Sequence, residues 1–255
     1  MAWDAVPEMP ALDWARDALF LDVDGTIIDI APTPEAVMVP ESLKLSLSRL
    51  RESLDGALAL ISGRTLPAID ELFAPLKFAA AGAHGAEVRH RPDGAVERCA
   101  VPLTSAERAT LAEVAKRDPR LRLEDKGYSL AVHYRSAPEL EDMVMATVRE
   151  EVAKLRENLP VLRGKMVVEV KARGFNKGTG LTRLMQHAPF LGRRPVFLGD
   201  DVTDEDALAV VGGFSGIGIS VGRLLPGATQ QVGSPAEVRA WLAHMAGAER
   251  FVKAS

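Results

Sequence analysis

The sequence predicts an α/β fold, a parallel sheet covered by helices, with an α+β domain inserted into it. Three observations predict this. Apolar runs of strand length recur, each followed by a longer segment of helical character. Polar clusters directly follow several of these runs, where an open parallel sheet places its ligand crevice. Between about residues 104 and 172 the order changes to helix, hairpin, helix, hairpin.

The apolar run Ala18 to Val23 reads as a buried strand, and Glu41 to Ser53 as a helix with Leu43, Leu47, Leu50 and Leu54 on one stripe. Ala57 to Ile61 is the next strand, Leu66 to Leu72 begins a helix, and Phe78 to Ala81 is a third strand. Glu87 to His90 and Val96 to Ala100 flank Arg91-Pro92-Asp93-Gly94, a hairpin signal. Inside the insert, Ala106 to Lys116 and Glu139 to Arg156 are helical. Leu121 to Leu123 and Tyr128 to Tyr134 form strands around Lys126-Gly127, and Val161 to Lys171 forms two around Arg163-Gly164. Beyond it, Pro195 to Leu198 and Ser215 to Ser220 are buried strands with a helix from Asp204 to about Val210 between them.

Composition narrows the function. With 31 Lys and Arg against 35 Asp and Glu, the net charge of −4 offers no broad basic surface, so no nucleic-acid partner is expected. The 47% hydrophobic and 26% charged residues are those of a globular chain, not a disordered one. Cys99 is the single cysteine, which excludes an intramolecular disulfide and a cysteine-held zinc, and the cytoplasm is the expected compartment. The N-terminus lacks the charge pattern of a secretory signal. The uncharged stretch Ala207 to Gly222 carries five glycines and falls short of the roughly 20 apolar residues that span a bilayer, so no membrane association is expected. A monomer is the default expectation. The glycines around Gly216 and Gly174 miss the spacing of nucleotide-binding loops.

Four clusters can do chemistry. Asp22-x-Asp24-Gly25-Thr26 follows the first strand, and strand alternation would face Asp22 and Asp24 the same way. Carboxylates that close repel unless a cation or a proton intervenes. Gly199-Asp200-Asp201-x-x-Asp204 follows the strand Val196-Phe197-Leu198, with Thr203 and Asp206 spaced like a capping box. Ser62-Gly63-Arg64 offers a hydroxyl, a backbone N–H and a cation, and Ser62 is also placed to cap a helix. Asn176-Lys177-Gly178 puts a lysine at a helix start, unfavourable for the helix dipole unless an anion is there. Together these groups suit metal-assisted phosphoryl transfer through a covalent aspartyl phosphate.

In that order, Asp22-x-Asp24, Ser62, Lys177 and Asp200-Asp201-x-x-Asp204 resemble the four motifs of the haloacid dehalogenase phosphatases. Leu60-Ile61-Ser62-Gly63-Arg64, Gly82-Ala83-His84-Gly85, Leu123-Glu124-Asp125-Lys126-Gly127-Tyr128-Ser129-Leu130-Ala131-Val132-His133-Tyr134-Arg135 and Glu169-Val170-Lys171 ahead of Asn176-Lys177-Gly178 are similar to the trehalose-6-phosphate phosphatase family. The chain departs from that pattern at Ala172, where the family has a proline, and at the bulky Phe175. The resemblance implies a Rossmann-like parallel-sheet haloacid dehalogenase core over residues 1–103 and 173–255, and an α+β cap over 104–172 that sets specificity. It also implies Mg²⁺-dependent hydrolysis of trehalose 6-phosphate, a small phosphosugar. Asp22 would be the nucleophile and Asp24 the acid and base. Mg²⁺ would lie among Asp22, the Asp24 carbonyl and Asp200, with Asp204 and Asp201 orienting its waters. Gly25, Thr26, Ser62, Gly63 and Lys177 would bind phosphate. Arg64, His84, Glu124, Lys126, Arg135, Lys165, Glu169 and Asn176 would bind the rest of the substrate, although for His84 a structural place in its glycine-rich turn fits equally. A phosphatase for another disaccharide or glycosyl phosphate, or a catalytically silent phosphosugar-binding module, are the other readings.

Overall fold

The computed structural model describes residues 9–30, 37–155, 159–164 and 166–248. In chain order the described elements begin with β1 (Asp17–Leu21), α1 (Glu41–Ser53), β2 (Leu58–Ile61), α2 (Leu66–Phe73), β3 (Ala79–Gly82), β4 (Glu87–Arg89) and β5 (Glu97–Arg98). They continue with α3 (Ser105–Ala115), β6 (Arg122–Asp125), β7 (Ser129–His133), α4 (Glu141–Leu155), β8 (Val161–Gly164) and β9 (Val167–Lys171). Last come α5 (Lys177–Met185), β10 (Arg194–Gly199), α6 (Glu205–Val211), β11 (Ile217–Val221), β12 (Gln230–Val232) and α7 (Pro235–Ala248). The chain divides into two compact units, Met1–Glu97 with Asn176–Ser255, and Arg98–Phe175. The second unit extends past the limits of 104 and 172 expected for the insert on both sides, because β5 runs across one boundary and Phe175 packs edge-on against Tyr128 at the other.

The first unit is built on an eight-stranded sheet in the order β12-β11-β10-β1-β2-β3-β4-β5. From β12 to β3 neighbouring strands are parallel, and β4 runs antiparallel to β3. All five residues of β1 are buried, as a central parallel strand covered on both faces requires. Asp17 is tolerated there because Arg194, directly across the β1–β10 pair, donates to both of its carboxylate oxygens at 2.7 and 3.0 Å. Leu43, Leu47 and Leu50 form the buried stripe of α1, which packs on α7. The chain moves from β1 to β2 and β3 on one side, then returns to β10 on the other. The ends of β1 and β10 are therefore the topological switch point, where the crevice opens. At Arg91-Pro92-Asp93-Gly94 the expected turn closes, with the Gly94 N–H donating to the Arg91 carbonyl at 2.9 Å.

The second unit carries a four-stranded antiparallel sheet, order β6-β7-β9-β8. Leu130, Val132, Val168 and Val170 share one buried face, and α3 and α4 supply its cover. The other face carries Glu124, Ser129, His133, Glu169 and Lys171, a division that follows from the two-residue strand period.

Two local expectations are corrected. The first strand ends at Leu21, not Val23, because the Val23 carbonyl turns to accept the N–H groups of Ile27 and Ile28, both at 3.1 Å. The second hairpin of the insert turns after Gly164 rather than around it, and Met166 takes a left-handed φ of 61°. Arg156, the expected last residue of the second insert helix, and residues 1–8 at the N-terminus lie outside the described residues.

Candidate active site

Parallel pairing of β1 with β10 puts Leu21 opposite Leu198, so the residues that follow each strand emerge side by side. The Asp22 N–H still donates to the Leu198 carbonyl at 2.9 Å, which fixes Asp22 at the sheet edge beside Asp200. Asp22, Asp200 and Asp204 each offer a carboxylate oxygen within 4.8 Å of the others. Lys177, the first residue of α5, donates to Asp22 Oδ1 at 2.7 Å and to Asp204 Oδ1 at 2.6 Å, and is itself buried. Asp204 Oδ2 accepts the backbone N–H groups of Asp200 and Asp201, both at 3.0 Å. Thr26 Oγ1 lies 3.0 Å from Asp22 Oδ2 and 3.1 Å from Asp200 Oδ1, and a hydroxyl has one proton to share between them.

Three carboxylates therefore face one ammonium. Burial, reinforced by the charge of Asp204, pushes Asp22 up to about 7 against the pull of Lys177. Burial and then the charge of Asp22 push Asp200 up to about 7 as well. Asp204 is raised, again chiefly by burial. Burial opposes the charge on Lys177, but Asp204 and Asp22 outweigh it and hold the lysine protonated. Both Asp22 and Asp200 start from an ordinary value of 3.8, so the folded protein binds more protons than the unfolded chain between pH about 4 and about 7. Stability without metal should fall as pH rises through that window. Calorimetry in chelator should show a lower Tm at pH 8 than at pH 5.5, and Asp200→Asn should flatten the slope; a Tm that climbs with pH would contradict the picture.

The remaining motif residues follow from close packing. Gly25 has φ +89°, and a Cβ there would lie 2.2 Å from Asp200 Oδ2, so only glycine lets the two loops meet. Its N–H, expected to bind phosphate, donates to the Ile28 carbonyl at 2.8 Å. Thr26, also expected on phosphate, is buried between the two aspartates. Ser62 follows β2, and its Oγ accepts the Arg64 N–H at 3.2 Å. The residue that caps α2 is Thr65, not Ser62. A Cβ at Gly63 would meet the His84 ring at 2.6 Å, so His84, buried with φ 57°, packs against the Ser62-Gly63 turn.

Asp22 and Asp24 do not share the environment that alternation predicts, because the strand has already ended. The Asp24 carboxylate is forked by Arg64, with Nε at 2.6 Å and Nη2 at 2.7 Å. Asp201 stands outside the carboxylate cluster. It accepts the Val202 N–H at 2.7 Å and faces Arg223 at 3.9 Å. The capping box expected of Thr203 and Asp206 is made instead by Asp201 and Asp204. Asn176 commits its carboxamide oxygen to the Thr179 N–H at 2.8 Å, capping α5.

In the second unit, Glu124, Lys126 and Glu169 come together. Lys126 Nζ lies 3.4 Å from Glu169 and 3.9 Å from Glu124, and Ser129 Oγ donates to Glu169 at 2.5 Å. His133 Nε2 bonds Glu124 at 2.9 Å, and this hydrogen bond, ahead of the charge on Lys126, holds the carboxyl below its ordinary range. Arg135 follows β7 and is half-buried, and Lys165 lies outside the described residues. Ser129 and His133 lie within the insert motif but were given no role from the sequence, although alternation along β7 puts them on the face that carries Glu169.

A parallel sheet with a buried aspartate after its central strand, an acid pair after the neighbouring strand and a lysine bridging them defines a phosphoryl-transfer protein of the haloacid dehalogenase class. Residues 20–231 match the trehalose-phosphatase family, and the chain belongs to that family of phosphoric monoester hydrolases. It is 39% identical over 248 residues to the trehalose-6-phosphate phosphatase of Escherichia coli (strain K12), covering 94% of this chain and 90% of that one. With the probable trehalose-phosphate phosphatase of Sinorhizobium fredii (strain NBRC 101917 / NGR234) it shares 40% identity over 85% of this chain and 82% of the relative. Its fold matches the C-terminal domain of the C. albicans trehalose-6-phosphate phosphatase with a TM-score of 0.79 at 21% identity, covering 93% and 98% of the two chains. Among the described residues no helix is long and apolar enough to cross a membrane.

Proposed function

We propose that the protein hydrolyses trehalose 6-phosphate to trehalose and inorganic phosphate through an aspartyl phosphate on Asp22. The observation that supports this most is the Asp22 carboxylate, buried after β1 and held by Lys177 and Thr26 beside Asp200. Asp22 attacks phosphorus as the bond to the sugar oxygen breaks, and Asp24 gives that oxygen a proton. Asp24 then takes a proton from the water that cleaves the acyl phosphate, which regenerates Asp22. The Arg64 fork orients Asp24 until the substrate phosphate competes for the guanidinium. Lys177 stays charged through both steps and balances the incoming phosphoryl oxygens.

The oxygen donors of Asp22 and Asp200 and the excess of carboxylate over lysine fit Mg²⁺, which these two side chains would hold together with the Asp24 carbonyl. When bound it would neutralise phosphoryl charge against an anionic nucleophile. Both Asp204 oxygens already accept N–H donors, so Asp204 serves to orient Lys177 and the Asp200 loop. In this reading the first unit is the catalytic core and the second the specificity domain. The sugar is read by the polar sheet face around Glu124, Lys126 and Glu169, and the enzyme works as a cytoplasmic monomer.

Phosphate release from trehalose 6-phosphate, sucrose 6-phosphate and glucose 6-phosphate, with Mg²⁺ and with chelator, tests the proposal. The expected result is metal-dependent release confined to trehalose 6-phosphate. Preference for another sugar phosphate would keep the core chemistry and overturn the assignment of the sheet face, and no release from any would favour a silent binding module.

A further inference from the structure

Lys126 sits at the tip of the β6–β7 hairpin, where strand pairing stops and local opening costs least, two residues on from Glu124 in β6. Side chains at such a tip hold a fixed geometry only if something fastens the turn. Arg108, near the start of α3, does so. Its Nε donates to the Leu103 carbonyl at 3.0 Å, Nη1 to the Asp125 carboxylate at 2.5 Å and Nη2 to the Gly127 carbonyl at 2.8 Å. The Leu103 N–H also donates to the Gly127 carbonyl at 3.1 Å, and the Gly127 N–H to Asp125 Oδ1 at 2.8 Å. The guanidinium thus closes a ring of hydrogen bonds around the turn that carries Lys126. At the other end of the same strand pair, His133 ties down Glu124.

A planar guanidinium serves three acceptors in three fixed directions, whereas an ammonium on a flexible stem does not. The bonds of Arg108 go to the frame of the hairpin, while the Lys126 side chain reaches across to Glu169. Loss of the fork would remove three of the hydrogen bonds around the turn, leaving the Leu103 and Gly127 N–H bonds, and would let the turn move, and Lys126 with it.

We infer that Arg108 is a specificity-determining positioning residue, which holds the Glu124–Lys126 hairpin in the form that reads the sugar of the substrate. This rests on the proposed function and adds a residue outside the motifs that carry the family resemblance. The test compares wild type, Arg108→Met and Arg108→Lys on trehalose 6-phosphate and on p-nitrophenyl phosphate, which has no sugar to read, both with Mg²⁺. For Arg108→Met, KM for trehalose 6-phosphate should rise about tenfold or more, while kcat and KM for the aryl phosphate stay within about twofold. Arg108→Lys should fail to restore KM, since it keeps the charge and loses the fork. An unchanged KM in both variants, or equal loss on both substrates, overturns the inference. Where Arg108→Met does not fold, Asp125→Asn removes one acceptor's charge and should raise KM for the sugar substrate alone; no rise overturns the inference equally. A wild type inactive on trehalose 6-phosphate overturns the proposed substrate instead, and the same comparison on the phosphosugar it prefers then decides the role of Arg108.

Discussion

Asp22→Asn is expected to lower kcat for phosphate release by about 10⁴-fold or more, the scale seen when a covalent nucleophile is removed. The carboxamide keeps an oxygen for the Lys177 N–H and nearly the same volume, so packing after β1 should survive. What it lacks is an anionic oxygen to attack phosphorus. Because a desolvated charge is deleted from a cluster of three carboxylates, the metal-free variant should melt no lower than wild type at pH 8. Steady-state release and a calorimetric scan on one preparation separate the two effects. Residual turnover within about tenfold of wild type would rule Asp22 out as nucleophile.

Lys177→Met should be costly in a different way. Asp22 and Asp204 lose their shared ammonium, and removing one partner of a buried charge network costs about 3–5 kcal/mol. Urea unfolding in chelator should show that loss at pH 8 and a smaller one at pH 5, where the two carboxylates take up protons in place of the lysine. Mg²⁺ should recover part of the stability while turnover stays low, since a cation restores charge balance but not the hydrogen bonds to Asp22 and Asp204. A variant as stable as wild type in chelator at pH 8 would show that the lysine is not the main counter-charge.

The sheet and the positions of the candidate site were legible because one physical pattern carries both. An uninterrupted apolar run such as Ala18 to Leu21 has to be a buried parallel strand, and charged residues immediately after it have to lie at the edge of the sheet. Asp22 and Asp200 follow from that reasoning, Lys177 from its place at a helix start, and the three do meet. The partners each oxygen chooses were not legible. Thr26 could equally have faced a ligand, and only the meeting of two loops far apart in sequence puts its hydroxyl between two carboxylates. Gly25 was read through its N–H, whereas its lack of a side chain is what the close approach of Asp200 demands. In the insert, Gly164 drew the turn prediction away from Met166, because a left-handed φ at a non-glycine residue leaves no mark on composition. His133 escaped because a lone histidine on a strand gives no pattern until register sets it diagonally across from Glu124.

The site also has a temporal side. Lys177 is 155 residues from Asp22 in the chain, and Asp200 is 174 from Thr26. During synthesis β1, β2 and β3 leave the ribosome long before β10, so the central strand waits with one apolar edge unpaired. Closing so long a loop is slow, and non-local strand pairing sets the pace of folding. The nascent chain is therefore most prone to aggregate while the second unit is being made. It assembles its candidate site and gains a protected edge in the same event, when β10 docks.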